Sequence, residues 1–200
     1  MALTHYLLLE CEAAPGPLSA VSSALAALCQ SSPVPLALER LARQAQGPMV
    51  LAYLRLQQPE PLADQALLDL RARWVQAGGP PLAQLSRLEL VYEAAGFSHA
   101  QTPVLHYVVE TDPEDGWEAE IFRWYDEEHM PGLAAVPGCT LAQRLINHDA
   151  GPRSHACYGL LSEDTLGSPP WLAVRHTDWS SRCRPHFTNT RRTMLELVSP

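Results

Sequence analysis

Short apolar runs alternate along this chain with amphipathic stretches of helical spacing, and prolines and glycines mark most of the joints. Tyr6 to Glu10 reads as a buried strand. Pro15-Gly16-Pro17 breaks it, and a helix follows from Leu18 to Gln30 with Ser19 as its N-cap. The segment from Val34 to Leu41 is apolar but of undecided type. Pro48 to Leu56 is a strand. Apolar residues then stand at 62, 66, 67, 70 and 74, so the spacing predicts a helix over 62–76, ended by Gly78-Gly79-Pro80-Pro81. Leu85 to Ala94 closes the half as a strand, giving β-α-β-β-α-β.

The second half repeats that plan. Val104 to Glu110 is a strand, Glu118 to His129 a helix stopped by Pro131, and Leu141 to Asn147 and His155 to Leu161 are strands joined at Gly151-Pro152. Pro169 to His176 is a short helix opened by prolines, which suit a first turn, and Thr193 to Val198 is the closing strand. The expected architecture is α+β: two fused ferredoxin-like βαββαβ repeats whose antiparallel sheets pack into an intrachain dimeric α/β-barrel. Residues 1–96 form the first, degenerate and structural half, 97–103 a linker, and 104–200 the half that carries the site.

Composition narrows the partners. Hydrophobic residues make up 46% of the chain and charged residues 18%, enough apolar content for a real core. A net charge of -8 argues against nucleic acid, which demands a concentrated basic surface. No apolar stretch reaches the roughly 20 residues of a membrane helix, and the opening residues lack the basic start of a secretory signal. Five scattered cysteines without a CxxC pair fit a reducing compartment, so a cytoplasmic location is expected. The histidines have no metal-ligand spacing, and no metal is expected.

The run Phe122-Arg-Trp-Tyr-Asp-Glu-Glu-His129-Met-Pro131 followed by Val136-Pro-Gly138 resembles the dimeric α/β-barrel superfamily, specifically its EthD-like branch. There the first helix carries an aromatic, an Asp or Asn, and a His followed by x-Pro. Trp171, Thr177-Asp178-Trp179 and Arg182-Cys-Arg-Pro-His-Phe-Thr-Asn189-Thr-Arg191 extend the likeness to a set of bacterial proteins, over residues 104–198. The first half lacks the helix motif. The resemblance implies a small, cofactor-free enzyme or ligand-binding protein. The wider superfamily includes lactone isomerases, polyketide cyclases, quinone-forming monooxygenases and haem-degrading enzymes.

Individual residues sharpen this. On a helical wheel Ile121, Phe122, Tyr125 and His129 fall within about 100° of one another, so the histidine looks toward the sheet. Asp126, one turn back, is placed to hold one ring nitrogen and leave the other for proton transfer. His129, Asp126 and Tyr125 are therefore the expected catalytic set, with the Tyr125 hydroxyl holding a ligand oxygen. Phe122, Trp124, Trp171, His176, Trp179, Arg182, Arg184, His186 and Asn189 are the expected substrate-binding residues. Trp171 and His176 would wall the pocket opposite His129. Arg182, Arg184 and Arg191 either clamp a carboxylate or pin the C-terminal loop to nearby acids. Glu127 and Glu128 are expected in solvent.

The leading expectation is a cofactor-independent enzyme that moves a proton on a small apolar, aromatic or polyketide-like metabolite. Isomerase, cyclase, lyase and monooxygenase chemistry all begin with that step. The alternatives are a non-catalytic ligand-binding or accessory barrel, and a haem protein. Such a chain is expected to work as a monomer or homodimer on a small-molecule ligand.

Overall fold

The computed structural model describes residues 2–198. Its strands are β1 (Thr4–Glu12), β2 (Leu36–Arg43), β3 (Met49–Glu60), β4 (Gln84–Ala95), β5 (Leu105–Pro113), β6 (Cys139–Asn147), β7 (Ser154–Leu160) and β8 (Phe187–Leu197). Helices α1 (Ser19–Ser31) and α2 (Asp64–Gln76) belong to the first half. In the second, α3 (Glu118–Trp124) passes through a π-turn (Tyr125–His129) into α4 (Met130–Ala134), and α5 (Pro169–Arg175) is followed by α6 (Asp178–Cys183). The order is β-α-β-β-α-β twice.

Ordered by hydrogen bonding, the strands run β1-β3-β2-β8-β5-β7-β6-β4 and close into a barrel. Each half contributes its strands in the same sequence, last-first-third-second, which is the ferredoxin-like arrangement. The pairings β1·β3, β2·β3, β5·β7 and β6·β7 are antiparallel. By compactness the described residues divide into one unit of 2–89, 148–150 and 196–198 and another of 90–147 and 151–195. The division falls inside β4, whose first residues pair with β1, as in Tyr6 opposite Leu88.

Each unit buries its own helix-sheet contact. In the first, α1 presents Val21, Ala24, Leu25 and Leu28 at helical spacing, and α2 presents Leu70 and Trp74. Leu7, Leu9 and Cys11 of β1 meet them at alternate positions. In the second, Ile121, Trp124, Tyr125, Met130 and Leu133 pack on Leu105, Tyr107, Ala156 and Tyr158, with Trp171 from α5.

Several local expectations are corrected. Ser19 is the first helical residue rather than the cap, which falls on Leu18 without a side-chain bond. The undecided Val34–Leu41 segment is mostly β2. Pro131 does not stop its helix: it sits in the first turn of α4, where a missing N–H costs nothing extra. The preceding π-turn, with the Met130 N–H donating to the Tyr125 carbonyl, resets the ladder just before the proline. The helix over 169–176 is followed by α6, capped by the Thr177 hydroxyl accepting from the Ser180 N–H. β8 begins at Phe187, so part of the expected connector is sheet. Among the described residues no helix is long and apolar enough to cross a membrane.

The start of the expected linker is tied into the second unit. Gly96 N–H donates to the Thr140 carbonyl and Ser98 N–H to the Cys139 carbonyl. A Cβ on Gly96 would lie 2.2 Å from the Cys139 carbonyl oxygen, a backbone atom with nowhere to move. Gly96→Ala is expected to cost about 1–3 kcal/mol, the usual penalty of overpacking, read as a lower urea midpoint. Gly167→Ala, where a Cβ meets nothing within 4 Å, is expected to leave the midpoint nearly unchanged and serves as the control.

Candidate functional site

The motif helix meets the sheet across a cleft in the second unit. Tyr107, Val109, Trp124, Tyr125, His129, Leu133, Ala156, Tyr158, Trp171, Phe187 and three arginines (Arg175, Arg184 and Arg192) line it. The enclosed space is about 30 Å³, and with its mouth the cleft spans about 390 Å³. The enclosed part holds about two waters. Anything larger must extend through the mouth, past the exposed Arg192.

The π-turn decides which side chains reach this cleft. It brings residues five apart onto one face, so the His129 ring stacks on Trp124 at 4.2 Å and 27°. Tyr125 meets the same imidazole edge-on at 5.6 Å. Trp124 is held in turn by Glu128, whose carboxylate accepts from the indole N–H at 3.0 Å and from the Thr177 hydroxyl at 2.6 Å. Glu128 is thus a half-buried strut between the motif helix and the cap of α6, not a solvated acid.

His129 is nine-tenths buried, and its Nδ1 has no hydrogen-bond partner. Burial, with Arg184 and Arg175 adding their fields, pushes its pKa down to about 3, so the ring is neutral. Asp126 does not orient it. Both carboxylate oxygens accept from Arg144 of β6, at 3.0 and 2.8 Å. The Arg144 side chain is only 4% exposed and its guanidinium lies 4.6 Å from the Phe122 ring centre, so the buried cation commands the nearest carboxylate. Burial raises the Tyr125 hydroxyl pKa despite Arg144, Arg192 and Arg184, which leaves it a proton donor at neutral pH.

Of the residues expected from sequence, the cleft gathers His129, Tyr125, Trp124, Trp171 and Arg184. The others lie elsewhere. Phe122 packs under Arg144, and His176 is an exposed residue at the C-cap of α5. Trp179 donates to Glu120, as does Arg182. His186 pairs with Glu114 and stacks on Trp117 at 3.4 Å. Asn189 donates to Asp112, and Arg191 makes a two-pronged bond to Glu110. These side chains pin the C-terminal segment.

Sequence reading missed Tyr107, Tyr158, Arg175 and Arg192. The tyrosines were findable, since they share one face of β5 and β7 with Leu105 and Ala156. Arg192 was hidden. It lines the same cleft as Phe187 although the two differ in parity. Asn189 between them adopts a left-handed φ of 48°, the kind of local irregularity that absorbs a one-residue shift.

No family profile matches the sequence, and no curated protein matches it. Solved structures do share its fold. An anthrone oxidase-like protein superposes with a TM-score of 0.64 at 11% identity, over 98% of this chain and 92% of that one. A candidate monooxygenase from Lactobacillus acidophilus NCFM gives 0.62 at 11% identity, over 98% and 93%. An uncharacterized ferredoxin-fold protein from Listeria monocytogenes 4b F2365, related to antibiotic biosynthesis monooxygenases, gives 0.54 at 9% identity, over 98% and 96%. The chain has a ferredoxin-like α+β fold, with two βαββαβ units in one polypeptide.

Stability reports on the buried imidazole and on the buried guanidinium separately. The unfolded chain protonates His129 near pH 6.5 and the folded one only near pH 3. The unfolded state therefore binds more protons between those values, and stability falls with falling pH there, by up to about 1.4 kcal/mol per unit from this ring. Urea unfolding at pH 7 and 4.5 is expected to show a loss about 2–3 kcal/mol smaller in His129→Phe than in the parent chain. Asp126→Asn, which strips the buried Arg144 of its anion, is expected to cost about 1–2 kcal/mol at pH 7 in the same measurement.

Proposed function

We propose that the second unit is a cofactor-independent enzyme site for a small aromatic or polyketide-like metabolite, with His129 exchanging a proton with the bound molecule. The observation that carries this is the buried, neutral imidazole with an unpartnered Nδ1 on a cleft walled by aromatic rings. Burying an unsatisfied nitrogen costs stability, of the order of 1–3 kcal/mol, and a ligand atom that bonds it recovers that cost. A neutral imidazole both donates and accepts a hydrogen bond. It is a weak base while its pKa stays near 3, so a ligand that brings negative charge into the cleft raises its basicity toward the working range.

In this reading His129 takes a proton from an acidic C–H or phenol O–H, and the Tyr125 hydroxyl donates to the oxyanion that forms. Trp124 positions the imidazole and excludes water from one of its faces. Asp126 has no part in the step. The EthD-like motif and the fold shared with an anthrone oxidase-like protein and a candidate monooxygenase support an aromatic ketone or phenol as the substrate class.

The second reading is a non-catalytic ligand-binding barrel, favoured by the small enclosed volume of about 30 Å³. The two separate on proton exchange. Anthrone, whose methylene is acidified by its ketone, and a panel of hydroxylated aromatic ketones are incubated in D₂O with the protein, and deuterium incorporation is followed by NMR. The parent chain is expected to accelerate exchange and His129→Ala to lose about 10²-fold or more. An unchanged rate in His129→Ala removes the enzymatic reading and leaves the binding one.

A further inference from the structure

We propose that Arg175, Arg184 and Arg192 receive the carboxylate of a small aromatic acid bound in the His129 cleft. This deepens the functional reading above by naming the charge and head group of its ligand, and it rests on that reading for the identity of the site.

The chain holds more acids than bases, 22 Asp and Glu against 14 Lys and Arg, so carboxylates are not scarce. In the second unit Arg123 and Arg182 pair with Glu120, Arg144 with Asp126, Arg153 with Glu118 and Arg191 with Glu110. Arg175, Arg184 and Arg192 have no such partner among the described residues, yet all three line one cleft that no Asp or Glu lines. Arg184 is half-buried, and among the described residues its side chain makes only a long hydrogen bond, 3.5 Å, to the Arg175 carbonyl at the end of α5. Three guanidiniums repel one another, and their ordinary remedy is an anion.

The cleft also holds a buried neutral donor that asks for an acceptor. The Trp171 indole N–H is buried and unpartnered, and an indole N–H can only donate. His129 is nine-tenths buried and also lacks a partner at Nδ1. An oxygen with lone pairs satisfies the indole, and a pair of such oxygens in one plane suits the arginine fork. The enclosed volume of about 30 Å³ admits a head group of a few atoms. In the same cleft Tyr107 and Tyr158 stack at 6.2 Å and 27°, and Trp171 meets both edge-on, a surface suited to an aromatic ring.

The test is binding without turnover. Benzoate and its neutral isostere benzamide are titrated into the full chain by calorimetry, with the Trp171 indole N–H resonance followed by NMR and assigned through Trp171→Phe. Benzoate is expected to bind, to shift that resonance, and to bind at least about tenfold more tightly than benzamide. Arg184→Gln and Arg175→Gln are each expected to weaken benzoate about tenfold or more, the scale of one charged hydrogen bond, and to leave benzamide within about twofold. A cooperative urea transition with a midpoint no lower than the parent's confirms that the variants fold. If either fails to fold, Arg192→Gln at the exposed mouth carries the test.

The proposal is overturned by no benzoate binding, by equal affinity for benzamide, or by benzoate affinity indifferent to the arginine substitutions. Tighter binding of inorganic phosphate than of benzoate also overturns it and reassigns the cleft to phosphoryl groups. Benzoate binding without His129-dependent exchange retires the proton chemistry and keeps this inference. Exchange on neutral ketones without carboxylate preference does the reverse.

Discussion

The stack of Trp124 on His129 is the contact from which the chemistry of the second unit follows. At 4.2 Å it covers one face of the imidazole, and it exists because the helix makes a π-turn between the two residues. In an unbroken α-helix a residue faces its neighbours three and four along, not five. The π-turn is anchored from outside, since Glu128 holds the Trp124 indole and the Thr177 hydroxyl that caps α6. One carboxylate thus couples the entry of α6 to the position of the ring, and α6 leads directly to Arg184. The imidazole is dry for structural reasons, and its neutrality is a consequence of that dryness.

Charge around this ring is sorted by competition. Two acids of the π-turn, Asp126 and Glu128, are both turned to other partners, Arg144 and the Trp124–Thr177 pair. The cleft is left with arginines and no acid. Burial and the neighbouring Arg175 and Arg192 depress the Arg184 pKa below the ordinary arginine value. Close cations also explain why the imidazole resists protonation beyond what burial alone imposes. An anion placed there acts on both effects at once: it relieves the guanidiniums and makes His129 more basic. Ligand binding and proton affinity are in this sense a single electrostatic event.

Much of this architecture was legible in the chain. Alternating strands, helices with apolar stripes and proline-glycine joints set the βαββαβ order twice, because each element must bury one face and its period says which. The inward look of His129 was also legible, since Tyr125 and Ile121 share its stripe. Its partner was not. Spacing on a helix offered Asp126, but a carboxylate goes to the charge that needs it most, and the buried Arg144 comes from a strand that the helix meets only in the folded chain. The same competition sorted the C-terminal arginines: Arg182 and Arg191 found Glu120 and Glu110, and Arg184 found no acid among the described residues.

Local periodicity, then, determined the elements, their order and the apolar face that carries the histidine, because these depend on neighbours within a few residues. Tertiary structure alone decided the π-turn, the presence of both Phe187 and Arg192 of β8 at the cleft, and the meeting of Arg175, Arg184 and Arg192 from α5, the turn after α6, and β8. Those outcomes depend on which distant charges and rings compete for the same few ångströms. That competition is settled by burial and distance in three dimensions, and no spacing along the chain encodes it.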